Sequence, residues 1–159
     1  MIKIKKAPET MTSRERVIRT FHYEKTDRVT IGYGANPGIH QRLKNALGVH
    51  DEEELAQALG IDYRNIDAPY IGPKLYEDRP NRMVSPTTGA VLRKVEHESG
   101  YYWDYCDFPL KDATDEMFAA FPVPNPDDFD YDFALEKAKS YNGKYGLHIG
   151  GPGTGDVLN

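Results

Sequence analysis

Apolar and polar positions alternate along this chain in short blocks of changing period. Thr12 with Glu15 makes a capping-box pattern, and Val17, Ile18 and Phe21 follow on one face of a short basic helix that stops near Tyr23. Asp27 and Arg28 then introduce VTIGYG, residues 29–34, whose alternation and β-branched content predict a strand. Asn36-Pro37-Gly38 starts a helix carrying Ile39, Leu43 and Leu47, closed by Gly48, and residues 51–59 form a further helix closed by Gly60. Residues 61–67 read as a second strand.

The next stretch, 68–81, holds Pro69, Gly72, Pro73 and Pro80 and reads as an irregular connection. Residues 90–97 and 101–108 alternate about Ser99-Gly100, which predicts a hairpin within an insertion at 89–108. Pro122, Pro124 and Pro126 stiffen a spacer, Asn125 caps a helix running to about Tyr141, and Gly143 ends it. Residues 145–149 read as a third strand.

Strands that alternate with helices in this way predict an α/β fold with parallel strands. Residues 1–10 read as a flexible arm, and 11–159 as one domain with the hairpin inserted. After the third strand come only a glycine-rich turn and about one helical turn, too little to be stable alone. The expectation is therefore part of a longer barrel, or a chain that a partner completes.

Composition narrows the function classes. Leu, Ile, Val and Phe make up roughly a fifth of the 159 residues, which implies a thin core. Aromatic content of 11% and a net charge of -5 argue for order all the same. The sequence pI of about 5.5 comes without a basic stripe, which argues against nucleic acid as a partner. Cys106 is the single cysteine, so an intrachain disulfide and a multi-thiolate metal site are both excluded, and a cytoplasmic setting is expected. MIKIKKAPE lacks an apolar signal region and no apolar run nears the roughly twenty residues of a bilayer span, so no membrane association is expected.

Several motifs invite chemistry and fail on one residue. In GGPGTGD, residues 150–156, Gly150 and Gly155 have the spacing of a phosphate loop, but Asp156 replaces the lysine, and a tight strand-to-helix turn is the better reading. Asp128, Asp130 and Asp132 open like a calcium loop, but Phe133 and Lys139 stand where glycine and glutamate are needed. Those carboxylates suit the first turn of a helix. The histidines His22, His40, His50, His97 and His148 lack zinc-site spacing, although His148 on its strand can line a pocket. Tyr101, Tyr102, Trp103 and Tyr105 read first as cross-strand packing. Asp67 stands out, because it lies at the C-terminal end of a predicted strand, the end that carries active sites in (β/α) barrels.

MTSRERVIRTFHYEKTDRVTIGYG resembles the opening of the uroporphyrinogen decarboxylase family, above all the branch shared with corrinoid-dependent methyltransferases. LGIDYRNIDAPYIGP is similar to that family's second strand and loop, DFPLKDATDEM and FPVPNPDDFDYD to its insertion and spacer, and YGLHIGGPGTGDVLN to its third strand and turn. The resemblance implies the first three strands of an eight-stranded TIM barrel. By it, Asp67 is the catalytic carboxylate that binds pyrrole N–H groups, and Tyr33, Asn36, His40, Arg42 and His148 line the substrate site. Arg42 is the only arginine of GYGANPGIHQRL, where the decarboxylase branch places a pair that reads substrate carboxylates. The implied substrate is a tetrapyrrole or a small methylated compound. The implied partners are a corrinoid protein and either a second copy or a complementing barrel half. No cofactor is expected within this chain; cobalamin or zinc belongs to the complete family member, whose zinc ligands come after Asn159.

Overall fold

The computed structural model describes residues 2, 4–98 and 100–150. Most of the glycine-rich turn, residues 151–156, the closing residues 157–159, and Ser99 of the hairpin turn lie outside the described residues. The chain is mixed α/β, with helices α1 (Ser13–Phe21), α2 (Pro37–Leu47), α3 (Glu52–Leu59), α4 (Asp115–Ala119) and α5 (Tyr131–Ser140). Its strands are β1 (Tyr63–Asn65), β2 (Arg82–Val84), β3 (Val91–His97), β4 (Gly100–Asp107) and β5 (Gly146–His148). They divide between two compact units. One comprises Met1–Ala35, His40–Ala68 and Tyr131–Asn159, the other Asn36–Ile39 and Pro69–Asp130.

In the first unit β1 and β5 pair in parallel, with Tyr63 opposite Gly146, Arg64 opposite Leu147 and Asn65 opposite His148. These are the predicted second and third strands, and their parallel pairing follows the predicted α/β order. Helix α1 packs on both. Its start is secured by the capping box, in which the Glu15 amide donates to Thr12 Oγ1 and the Thr12 amide donates to the Glu15 carboxylate. Its buried face is Arg16 and Val17, whereas Ile18 and Phe21 of the predicted apolar face are exposed. Val17 can lie this close to β5 because Gly146 has no side chain: a Cβ there would stand 2.9 Å from both Val17 methyl carbons. Asp51 caps α3 by accepting from the Glu54 amide, and Gly60, at φ 70°, ends it in the left-handed region that L side chains avoid.

Residues 29–34, predicted as the first strand, form no strand among the described residues. One backbone bond ties them in, from the Asp62 amide to the Ile31 carbonyl (2.9 Å). The Ile31 amide donates instead to the Asp62 side chain (2.8 Å), so a carboxylate takes a place that a ladder carbonyl would hold. The segment read as a flexible arm is bonded at several points. The Ile2 amide donates to the Ala46 carbonyl, Lys6 Nζ to the Gln57 carbonyl, and the Thr10 amide to the Asp27 carboxylate.

The second unit is built on an antiparallel sheet of order β2-β3-β4. The predicted hairpin is present, with Val95 opposite Tyr102 and Lys94 opposite Trp103, and β2 adds an unpredicted strand beside it. A register shift next to Val91 leaves Cys106 as an extra residue, its thiol 3.4 Å from the Val91 carbonyl. Ala90, Val91 and Leu92 form the buried centre. The helix predicted from Pro126 to about Tyr141 is interrupted. A 3-10 turn (Pro126–Asp128), capped by Asn125, gives way to extended Phe129, which bridges to Tyr70 while the Asp130 amide donates to the Pro69 carbonyl. Those bonds take the backbone groups that a continuous helix would use itself.

Candidate functional site

Because β1 and β5 are parallel, the residues after both strands emerge at one end. Asp67 follows β1 there, and Asn65 holds it. Asn65 Nδ2 donates to Asp67 Oδ2 (2.8 Å), and the Asp67 amide donates back to Asn65 Oδ1 (3.0 Å). The Gly150 amide, just beyond β5, donates to Asp67 Oδ1. The carboxylate is thus fixed by one bond to each oxygen, and it remains exposed with lone pairs to spare.

His148 is the last residue of β5, directly opposite Asn65. Its Nδ1 lies 3.0 Å from the Gly150 carbonyl. A carbonyl oxygen only accepts, so Nδ1 carries the proton and the lone pair of the neutral ring is at Nε2. Gly150 therefore grips both side chains, its N–H on Asp67 and its C=O on His148. Tyr63 sets the other side of the imidazole edge-on, with ring centroids 6.4 Å apart. What results is a pair of hydrogen-bond acceptors, a carboxylate and an imidazole Nε2, suited to a ligand that presents N–H donors.

Tyr33 and His40 meet in a separate group. His40 Nε2 lies 2.6 Å from Glu52 Oε2 and its Nδ1 lies 3.1 Å from the Tyr33 hydroxyl. With Nε2–H donating to the carboxylate, Nδ1 of the neutral ring accepts the phenolic proton, giving a Tyr33–His40–Glu52 relay. The His40 contact holds the Glu52 carboxyl below its ordinary range. Burial, then the Glu52 charge, pushes the Tyr33 phenol up, so Tyr33 stays protonated near neutrality. Asn36 caps α2 by accepting from the Ile39 amide (2.9 Å), and Arg42 is exposed on α2 without an ion-pair partner among the described residues. Among the described residues Arg42 forms no hydrogen bond with the Asp67–His148 pair or the relay.

The opposite end of β1 carries a charge cluster that the sequence reading missed. Arg16, buried on α1, binds both oxygens of Asp27 (2.6 and 2.9 Å) and donates from Nη1 to Asp62 Oδ1 (2.6 Å). Arg28 donates to both Asp62 oxygens (2.6 and 3.1 Å) and from Nε to Glu9 (2.8 Å). The hydrogen bond from Arg16 holds the Asp27 carboxyl far below its usual range. Burial pushes Asp62 up, but the bonds from Arg28, the Ile31 amide and Arg16 outweigh it and leave the group lowered. Every charge here is met by another, which makes this a clamp for the N-terminal segments and α1 rather than a reaction centre. A similar structural role falls to Arg64, whose guanidinium binds both oxygens of Glu53 (2.6 and 2.9 Å) and lies 3.7 Å from the Tyr145 ring centroid.

Among the described residues no three or more His, Cys, Asp or Glu side chains converge as metal ligands, and no helix is long and apolar enough to cross a membrane. No protein-family model, curated protein or solved structure matches the chain.

Proposed function

We propose that this chain is the N-terminal part of a uroporphyrinogen decarboxylase-like (β/α) barrel, from the branch linked to corrinoid-dependent methyl transfer, and that Asp67 is its substrate-binding carboxylate. The observation that carries the reading is the Asp67–His148 pair at the shared C-terminal end of two parallel strands, with the charge clamp at the other end. That polarity is the one barrel enzymes follow, with chemistry at the C-terminal end of the strands and stabilising contacts at the other. In this role Asp67 accepts N–H donors of a tetrapyrrole and balances positive charge that develops on them, while His148 Nε2 accepts a further N–H or a proton. The tyrosine–histidine–glutamate relay would leave the Tyr33 oxygen, its proton turned toward His40, as a further acceptor for a donor group of the substrate. Zinc does not fit the described residues as a ligand set, and no step is assigned to it.

Titration of the purified chain with uroporphyrin and with hydroxocobalamin, followed by absorbance, tests the proposal. Binding weakened at least tenfold by Asp67→Ala is the expected result, with cobalamin preferred in the methyl-transfer branch and uroporphyrin in the decarboxylase branch. If neither binds, or if Asp67→Ala binds as tightly as the parent, the assignment is wrong. A second reading, a subunit completed by a partner chain, is favoured by β5. Its outer edge has no strand partner among the described residues, and Leu147 on it and Ile149 just beyond it are 41% and 76% exposed. Sedimentation as a monomer at all concentrations, with no copurifying chain, would count against it.

A further inference from the structure

The second unit contains a hollow unconnected with the Asp67 reading. Its volume is about 400 Å³, within the range of small-molecule sites. Three stretches of chain wall it: the turn between β2 and β3, the end of β4 with the residues after it, and the proline-rich spacer. Charged residues make up 28% of this protein, yet none of the residues that line the hollow is charged. Three aromatic rings stand in its walls instead. Tyr105 and Phe108 stack with their centroids 5.5 Å apart and their planes 24° from parallel, and they are 61% and 51% exposed. Phe121 closes another wall, held by the Tyr76 ring at 5.8 Å, while the Tyr76 hydroxyl donates to the Pro122 carbonyl.

The hydroxyl-bearing side chains of the lining are Thr87, Thr88 and Tyr105. Thr88 is occupied: its hydroxyl donates to Ser85 Oγ (2.8 Å) and accepts from the Ala90 amide (3.4 Å). The Thr87 and Tyr105 hydroxyls make no hydrogen bond among the described residues; the Tyr105 hydroxyl sits at the tip of a stacked ring, which leaves Thr87 as the polar anchor apart from the aromatic walls. Stacked rings with open faces favour a flat aromatic guest. A lining without charge gives a carboxylate, phosphate or ammonium nothing to replace its hydration, so such ligands are rejected.

We propose that this hollow binds an uncharged planar aromatic compound of two or three fused rings bearing one hydroxyl, seated against Tyr105, Phe108 and Phe121 with its hydroxyl on Thr87. A macromolecular partner is less suited, because the site is a concavity of small-molecule size rather than an extended face. It also differs in kind from a carboxylate-rich tetrapyrrole site.

The test is a fluorescence titration of the whole chain with 2-naphthol and, in parallel, with naphthalene-2-sulfonate, its anionic counterpart. The proposal requires naphthol to bind with at least tenfold higher affinity than the sulfonate. Thr87→Val should weaken naphthol several-fold and leave unsubstituted naphthalene unchanged. Phe121→Ala should abolish binding, and because that change removes packing on Tyr76, Val123→Glu provides the second variant. Val123 is 74% exposed, so a carboxylate there leaves the fold intact while placing a charge in the wall, and naphthol binding should fall at least tenfold. Equal affinity for both probes, no binding of naphthol, or binding indifferent to Val123→Glu overturns the proposal. So does self-association of the chain that Val123→Glu abolishes, since a second copy would then be the occupant. None of these outcomes depends on Asp67, and Asp67→Ala should leave naphthol binding unchanged.

Discussion

Replacing Asp62 with asparagine changes one atom's chemistry at the centre of the charge clamp. Asp62 accepts four hydrogen bonds, from Arg16 Nη1, Arg28 Nη1, Arg28 Nη2 and the Ile31 amide. An amide can place its oxygen where Oδ1 stands and keep the contacts to Arg16 Nη1 and Arg28 Nη2. Its NH2 group then faces Arg28 Nη1 and the Ile31 amide, donor against donor. Two bonds are lost, each worth about 1.5–3 kcal/mol when one partner is charged, and two donors are left without an acceptor beside a buried NH2 group, although Asp27 still pairs with Arg16 and Glu9 with Arg28. The expected loss is about 3–5 kcal/mol, a large share of the roughly 5–15 kcal/mol that holds a typical domain folded. Urea unfolding followed by far-ultraviolet circular dichroism measures it. With a slope of about 1–3 kcal/mol per molar, the midpoint should fall by one molar or more at unchanged slope. Asp67→Asn, at an exposed carboxylate, is the control and should cost less than about 1 kcal/mol. An Asp62→Asn midpoint within the error of the parent would refute the argument that this cluster holds the fold.

The same cluster sets the response to acid. Asp27 and Asp62 are lowered in the folded chain, so the stability they contribute is complete above the unfolded value of about 3.9 and is lost as pH falls through their folded values; acid titration of Asp62→Asn should show a flatter loss below about pH 4. Thr12→Ala removes the acceptor of the capping box and should cost about 1 kcal/mol in urea unfolding, with the spectrum of the folded state unchanged. Arg64→Met keeps the apolar stem but removes the paired bonds to Glu53 and the stacking on Tyr145; a loss of about 2 kcal/mol is expected, and a neutral result would show that the pair only balances its desolvation. Gly146→Val drives methyl groups into Val17 and should destabilise by about 1–3 kcal/mol, reversed in part by Val17→Ala in the double variant.

Local signals in this sequence carried far. The Thr12 capping box, the Asn125 cap and the left-handed Gly60 are each decided by residues two to four positions apart, and each is present in the structure. The hairpin and the parallel pairing of β1 with β5 also follow from alternation and order. What periodicity could not see was long-range polar bonding. Arg16 and Asp62 are separated by 46 positions, and nothing in a hydrophobic pattern marks an arginine as the buried side of a helix. The same blindness explains residues 29–34: their alternation is that of a strand, but Asp62 takes the Ile31 amide that the ladder needed. Three-residue β2 and five-residue α4 are too short to show a period at all. At the site, the position of Asp67 was legible because it follows from strand direction, whereas the Gly150 grip on Asp67 and His148 depends on a contact across 83 positions.

The pairing of β1 with β5 also bears on how the chain is made. Synthesis runs from the N-terminus at about 5–20 residues per second, so β1 leaves the ribosome several seconds before β5 exists. The intervening sheet closes on near neighbours and can fold while the first strand waits. During that delay a short strand without its mate is an opening for wrong pairing. The members of the charge clamp are in a different position: Glu9, Arg16, Asp27, Arg28 and Asp62 are all translated before β1 is finished. They can gather while the rest is still being assembled, and so hold α1 and the approach to β1 in place as a template on which the late strand docks.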